Sequence, residues 1–439
     1  MQTPMKQNKK KETPMYRLNR AQKIGAFALL ASTFHQITPL DRVHFYYANP
    51  FWKEPRFERP YLLTFNTSGW RGSTCEGQNC RGKKTGVLNI YGTHNMKRLG
   101  ENVPDKDPSL PENMILDALQ QVEGNHCFAH LNFSGKFRTA GTELSLLQNF
   151  THGFFLQLDV PVRFLEIRNI CYTDLSPSLP ATPNKTQPEW QSFLGAFQSI
   201  LKLYELDIRT CRNKGFGDFS ILFGWTKNYE NTEYFDFIDW TVKFGPLFPT
   251  GKRKNIHSVF SLPLGYDGHW GLSACFDLSA GLFEWLTFGG HLQVLPLFPR
   301  TKTIRMKTAA QQSGMIKLSK GCAKVKPGIV THAGVFLQAD HITHGLSLTT
   351  GYSYARQGNK KICPCNTKKF NPAIVNSDQM FKKWTVHTVH FQADYDFMQE
   401  HHTVGAQVGV FVDWHVGGTR TFKTNRSGIL VGFDFLLKG

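Results

Sequence analysis

No stretch of this chain is long and apolar enough to cross a membrane as a helix. The longest apolar run, Ile24-Gly-Ala-Phe-Ala-Leu-Leu-Ala31, falls well short of the ~20 residues that a spanning helix needs. No Pro-rich linker splits the 439 residues into obvious halves. Gly-x-Ser-x-Gly, His-Glu-x-x-His and P-loop motifs are all missing, so the sequence offers no motif for a common hydrolase, metalloprotease or nucleotide enzyme, and no cofactor is expected. Acidic residues are scarce, 33 against 51 Lys and Arg, for a net charge of +18. That balance invites a nucleic-acid reading. The basic residues, however, gather in connections (Lys252 to Lys254, Arg300 to Lys326, Lys360-Lys361, Lys368-Lys369, Lys382-Lys383) without a recognisable binding module. No nucleic acid is expected. In a barrel those loops would meet lipid and lipopolysaccharide phosphates or soluble anions. The nine cysteines are odd in number and dispersed, with no two pairs at zinc-finger spacing.

What is present is alternation. In Ser427 to Gly439, Ile429, Val431, Phe433, Phe435 and Leu437 share one face of a strand, while Gly432, Asp434 and Lys438 share the other. Val404, Ala406, Val408, Val410, Val412 and Trp414 alternate in the same way. Further apolar faces run through Ala129, Leu131 and Phe133; Phe154 to Val160; Phe219 to Trp225; Ile238 to Phe244; Trp270 to Leu282; Leu286 to Val294; Val335 to Ala339; Leu346 to Tyr354; and Val389 to Phe397. Alternation over about ten residues exceeds the five or six of an ordinary soluble strand. An apolar face backed by glycine and charge is the signature of a transmembrane β-barrel. The 36 Phe, 13 Tyr and 9 Trp suit aromatic girdles at two interfaces.

The expected fold is all-β: an antiparallel transmembrane barrel of about 14 strands, with 12 as the nearest alternative because the pattern over 140–172 is weak. Tight turns near 283–284, 341–344 and 398–402 alternate with long connections over 248–268, 298–328, 357–383 and 416–426. Short turns on one side and long loops on the other is the bacterial outer-membrane arrangement, and it puts the C-terminus in the periplasm. Residues 1–34 read as an N-terminal extension and signal peptide, with Met15 as a second candidate start. Residues 35–84 read as a periplasmic or plug segment, including the strand-like Tyr61 to Phe65, and 85–439 as the barrel. Two helices interrupt it, Glu112 to Val122 and Pro188 to Tyr204. The second carries an apolar stripe at helical spacing, which fits a loop helix packed on the rim or a gate.

Gly215-Phe-Gly-Asp-Phe-Ser-Ile-Leu-Phe-Gly-Trp225, followed by Trp240 to Gly251 with its Pro-Thr-Gly end, resembles outer-membrane barrels of the phenol meta-degradation type, distant relatives of the long-chain fatty-acid transporters. The resemblance is concentrated in 215–251 and looser through the C-terminus. It implies a channel for small, often apolar, molecules. The cysteine-bearing basic loops and the 173–214 insertion depart from the pattern.

If the apolar faces meet lipid, the opposite faces supply candidate lumen-lining residues: Asp218, Asp239, Lys243, Asp277, Gln338, Asp340, Asp394, Asp413 and Asp434, with His390 and Gln392. Such carboxylates favour cations in an open pore, or pair with Lys and Arg in a plugged one. Cys75 and Cys80 could bridge in an oxidising periplasm. A bridge between Cys363 and Cys365 themselves would be strained, which points to partners elsewhere. His387 and His390 lie on opposite faces of a strand, and no metal site is expected. The expected partners are a small-molecule solute, outer-membrane lipid and, through the C-terminal strand, the barrel-assembly machinery. A structural or adhesive barrel displaying basic loops is the alternative function, and an outer-membrane lipid hydrolase a lesser one.

Overall fold

A computed structural model describes residues 61–123, 128–176, 187–230, 232–283, 285–343, 345–397 and 404–437. The expected signal segment and both candidate starts lie outside the described residues, as do His344, His401 and His402.

Twelve long antiparallel strands close into a ring. They are β1 (Leu62–Thr74), β2 (His130–Asn149), β3 (Phe154–Asp174), β4 (Phe219–Glu230), β5 (Phe237–Phe248), β6 (Gly271–Leu282), β7 (Leu286–Leu295), β8 (Val330–Thr343), β9 (Leu346–Gln357), β10 (Trp384–Asp396), β11 (Val404–Thr419) and β12 (Arg426–Leu436). Closure comes from β1, which pairs with β2 on one side and with β12 on the other, from Leu62 opposite Leu436 to Gly72 opposite Arg426. Two sequence expectations change here. The ring has twelve strands, the stated alternative, rather than fourteen, since the short strands His94–Asn95 and Cys211–Phe216 only extend the sheet beside β2 and β3. The stretch from Tyr61 to Phe65, expected outside the barrel, opens its first strand, so the barrel begins before residue 85.

The alternation that marks the strands is realised as an outer apolar face. Val404, Val408, Val410, Val412 and Trp414 are exposed while Gly405, Gly409, Phe411 and Asp413 are buried. On β6, Leu272, Phe276 and Leu278 point out. From Leu272 to Leu282, ten steps of about 3.3 Å tilted by about 40° span roughly 25 Å, the height of an outer-membrane apolar band. Rings gather at both edges of this band. Phe248 meets Trp270 at 5.1 Å on the long-loop side. On the short-turn side Trp225 meets Trp240 at 4.8 Å and Tyr395 meets Phe397 at 4.7 Å. An unbroken apolar belt between aromatic edges, on a sheet with no free edge, is a membrane-spanning barrel of the outer-membrane kind.

The hairpin turns β2–β3, β4–β5, β6–β7, β8–β9 and β10–β11 lie at one end, with both ends of the ring strands: the Leu437 amide donates to the Tyr61 carbonyl at 3.1 Å. The long connections lie at the other end and build a cap. Helices α1 (Pro111–Gln121) and α2 (Pro188–Leu203) pack together there. The stripe on α2, Trp190, Phe193, Phe197, Ile200 and Leu201, is buried in one core with Leu88, Met96, Phe128, Phe133, Phe260 and Ile316, so α2 is a packed cap helix. Ala129, Leu131 and Phe133, expected against lipid, are wholly buried in this core, because β2 rises past the membrane band and the cap takes the place of lipid. A separate three-stranded sheet, Arg300–Arg305, Lys320–Lys326 and Lys361–Pro364, stands on Met306, Val325, Ile362 and Phe370.

Candidate functional site: the barrel interior and its mouth

The inner wall is built from glycine and polar residues because every second position of each strand faces in. Several inward glycines lie beneath a large side chain from the next strand. A Cβ on Gly224 would fall 2.1 Å from the Phe155 ring, and one on Gly428 would fall 2.6 Å from the Phe411 ring. Phe237 covers Gly281, Phe336 covers Gly289 and Trp70 covers Gly141 in the same manner. The absent Cβ lets each ring lie close against the wall instead of projecting across the lumen, the pairing by which aromatics rescue strand glycines. A twelve-stranded barrel is narrow, and this arrangement packs the rings into the wall: Phe155 and Phe411 are buried there, while Phe237 and Phe336 keep part of their surface exposed.

Eight of the nine candidate lining residues face inward: Asp239, Lys243, Asp277, Gln338, Asp340, Asp394, Asp413 and Asp434. They fall into two tiers. Across the middle, charge is paired. Lys243 on β5 lies 3.3 Å from Asp277 on β6. Asp413 on β11 takes Arg426 at 2.9 Å and His390 at 2.8 Å. Arg163 lies 3.5 Å from Glu143. Arg163 and Arg426 both stack on Trp70, at 5.1 and 5.3 Å from its ring centre. Nearer the short-turn end, carboxylates take neutral donors. Asp340 accepts from Gln338 at 2.6 Å, Thr287 at 3.0 Å and Ser347 at 3.1 Å. Asp394 accepts from Gln392 at 2.6 Å, and Asp434 from Thr64 at 2.6 Å. The interior is thus neither uniformly acidic nor uniformly paired.

Asp218 does not line the lumen. It sits between Cys211–Phe216 and β4, where its carboxylate accepts from the Gly251 and Tyr266 amides at 2.8 and 2.6 Å. It pins the 249–270 connection over the rim, and burial pushes its carboxyl up to about 6 against the opposing pull of those two amides. Gly265 allows the approach, since a Cβ there would lie 2.2 Å from the carboxylate. Cys75 and Cys80 are both exposed, and they stand as thiols in this structure, as Cys322 and Cys365 do.

Sequence reasoning missed Trp70, Glu143, Arg163 and Arg426. Trp70 was placed outside the barrel with its strand, and Glu143 and Arg163 fall in the weakly patterned 140–172. It also found no Ser/His pair by spacing, yet strand register makes one. Ser353 lies 2.7 Å from Nε2 of His390, whose Nδ1 lies 2.8 Å from Asp413. That is the connectivity of a hydrolytic triad. The setting differs: Ser353 is mid-strand, with β8 and β10 paired along both of its sides. Ladder pairing occupies the main-chain amides around it, leaving no pair of backbone donors for an oxyanion.

At the mouth, inward residues at the long-loop ends of the strands change from polar to apolar. Phe137, Leu165, Ile167, Leu247 and Leu295 join the cap core. Among the described residues, no cluster of His, Cys, Asp and Glu could hold a metal ion.

No family model matches the chain, and no curated protein matches it. Solved structures similar to it include an outer-membrane channel from Pseudomonas putida F1 (11% identity, TM-score 0.48, covering 89% of this chain and 100% of that one). The translocator domain of autotransporter NalP from Neisseria meningitidis is also similar (9% identity, TM-score 0.33, 86% and 88%). So is a Pseudomonas aeruginosa FadL homologue (8% identity, TM-score 0.30, 86% and 91%). The barrel assignment rests on the closed register and the outer belt.

Proposed function

We propose that this protein is an outer-membrane channel for small molecules, with apolar or aromatic solutes as the favoured class. What supports this is the wall: Phe237 and Phe336, both partly exposed, lie close over inward glycines, which adds apolar surface to a narrow polar barrel. The long loops face outward and the termini face the periplasm in this reading. Exposed Lys324, Lys326, Lys361, Lys368 and Lys369 then meet lipopolysaccharide phosphates, and β12 is the strand offered to the assembly machinery. The test is entry of a monoaromatic solute into liposomes carrying the refolded protein, beside a sugar of similar size. Protein-dependent entry that is faster for the aromatic supports the reading. Entry equal to that of protein-free vesicles, for both solutes, leaves an adhesive barrel that displays basic loops.

The connectivity Ser353–His390–Asp413 favours one second reading, hydrolysis of an ester inside the lumen. A fluorophosphonate probe decides it: labelling that disappears in Ser353→Ala supports an enzyme, and absence of labelling in refolded protein removes it.

A further inference from the structure

Cys322 and Cys365 lie on two different long connections, between β7 and β8 and between β9 and β10, yet strand pairing makes them direct neighbours. In the cap sheet, Ala323 stands opposite Pro364 and Lys324 opposite Cys363. The next pair in that register is Cys322 with Cys365, and the Cys365 amide donates to the Cys322 carbonyl at 2.9 Å. Hydrogen-bonded antiparallel neighbours have Cα atoms about 5.5 Å apart, near the commonest separation in disulfides. Both side chains are exposed, on the face of the sheet opposite buried Ala323, Val325 and Ile362. The two thiols are hydrogen bonded, which pushes the Cys365 thiol up.

We propose that Cys322 and Cys365 form a disulfide that staples the two loops of the cap sheet. The proposal rests on the placement of the long loops outside the cytoplasm, where disulfides form and persist. One cysteine thiolate attacks a protein or small-molecule disulfide, giving a mixed disulfide and one free thiol. The second cysteine displaces the other thiol. The Cys322–Cys365 S–S bond forms, the oxidant's bond breaks, and the two protons leave with its two thiols. The pairing of Lys361–Pro364 with the central strand is short, and the staple would hold its end. Cys363 lies diagonal to Cys322 on the same face and remains a thiol.

The test is disulfide mapping of full-length protein taken from outer membranes after acid quenching and alkylation. The expected result is a peptide joining Cys322 to Cys365, with Cys363 alkylated. Alkylation of both Cys322 and Cys365, or a bridge from Cys322 to Cys363, overturns the proposal. In Cys322→Ser, Cys365 should become reactive to maleimide without reductant, and in Cys363→Ser the bridge should persist. Loss of the bridge in Cys363→Ser also overturns the assignment. Labelling of exposed Cys75 and Cys80 by an impermeant reagent on intact cells reports loop placement independently. Solute entry reports the channel, so failure of the staple is distinguishable from failure of either.

Discussion

Placing an arginine at Val410 should destabilise the barrel by about 3 kcal/mol. Val410 is 57% exposed on the outer face, between Val408 and Val412, with Ala393 and Ile429 as its cross-strand neighbours. All of these are apolar, and no inward polar group lies on that face. The band edge at Trp414 is four residues up the strand, about 10 Å along the membrane normal at a 40° tilt. A guanidinium can cover only part of that distance by snorkelling. Charges near the midplane of such barrels cost about 2–4 kcal/mol, falling toward zero at the interfaces. A value of about 3 kcal/mol is roughly a 150-fold change in the folding equilibrium. Gln407→Arg is the control, because Gln407 faces inward beside Asp396 and Gly432 in the register. Urea titration of refolding into lipid vesicles, read by heat-modifiable gel migration, measures both. Val410→Arg within about 0.5 kcal/mol of wild type, or equal costs for the two variants, would refute the assignment of faces.

Three further outcomes follow from named groups. Asp277→Asn removes the carboxylate charge 3.3 Å from Lys243, so reversal potentials under a salt gradient should move toward anions, and the shift should shrink at high salt as screening shortens the reach of the charge. Burial in the cap holds His94 down at about 3. The unfolded segment therefore binds the extra proton between about pH 6.5 and 3, and cap stability falls as pH drops through that window. His94→Leu should reduce the acid-induced rise in protease cutting of the cap. Asp218, raised to about 6, acts with the opposite sign between about pH 4 and 6, so the variant must be compared with wild type at each pH. Gly265→Ala, whose methyl would strike the Asp218 carboxylate, should free the 249–270 connection to proteolysis while leaving the barrel's gel migration unchanged.

The sequence revealed most where one face met lipid and the other did not. Val404 to Trp414 and Trp270 to Leu282 declare their strands because Val and Leu alternate with Gly, Ser and Asp without a break. Alternation fails as a signal on β1, where Asn66, Thr67, Ser68 and Gly69 put small polar residues on both faces, so the strand that closes the ring was read as outside it. It misleads at Leu131 and Phe133, because an apolar face reads the same against lipid as against a protein cap. The interior was legible as a set of carboxylates but not as pairs. Which of them meets Arg163, Lys243 or Arg426 depends on register between neighbouring strands, and no spacing within one strand encodes it. Cys322 and Cys365 became neighbours for the same reason. Asp218 was misread because it falls one residue before its strand, where an inward position becomes a rim position.

The claim that solute passes through the interior can be tested at Cys275, which faces inward on β6 opposite Lys243 and Gln293. Proteoliposomes of wild type and of Cys275→Ser are treated with a bulky water-soluble maleimide, and aromatic solute entry is measured before and after. The account predicts slow labelling of Cys275 that lowers entry in step with the labelled fraction, and no change in Cys275→Ser. Complete labelling with entry undiminished would contradict it.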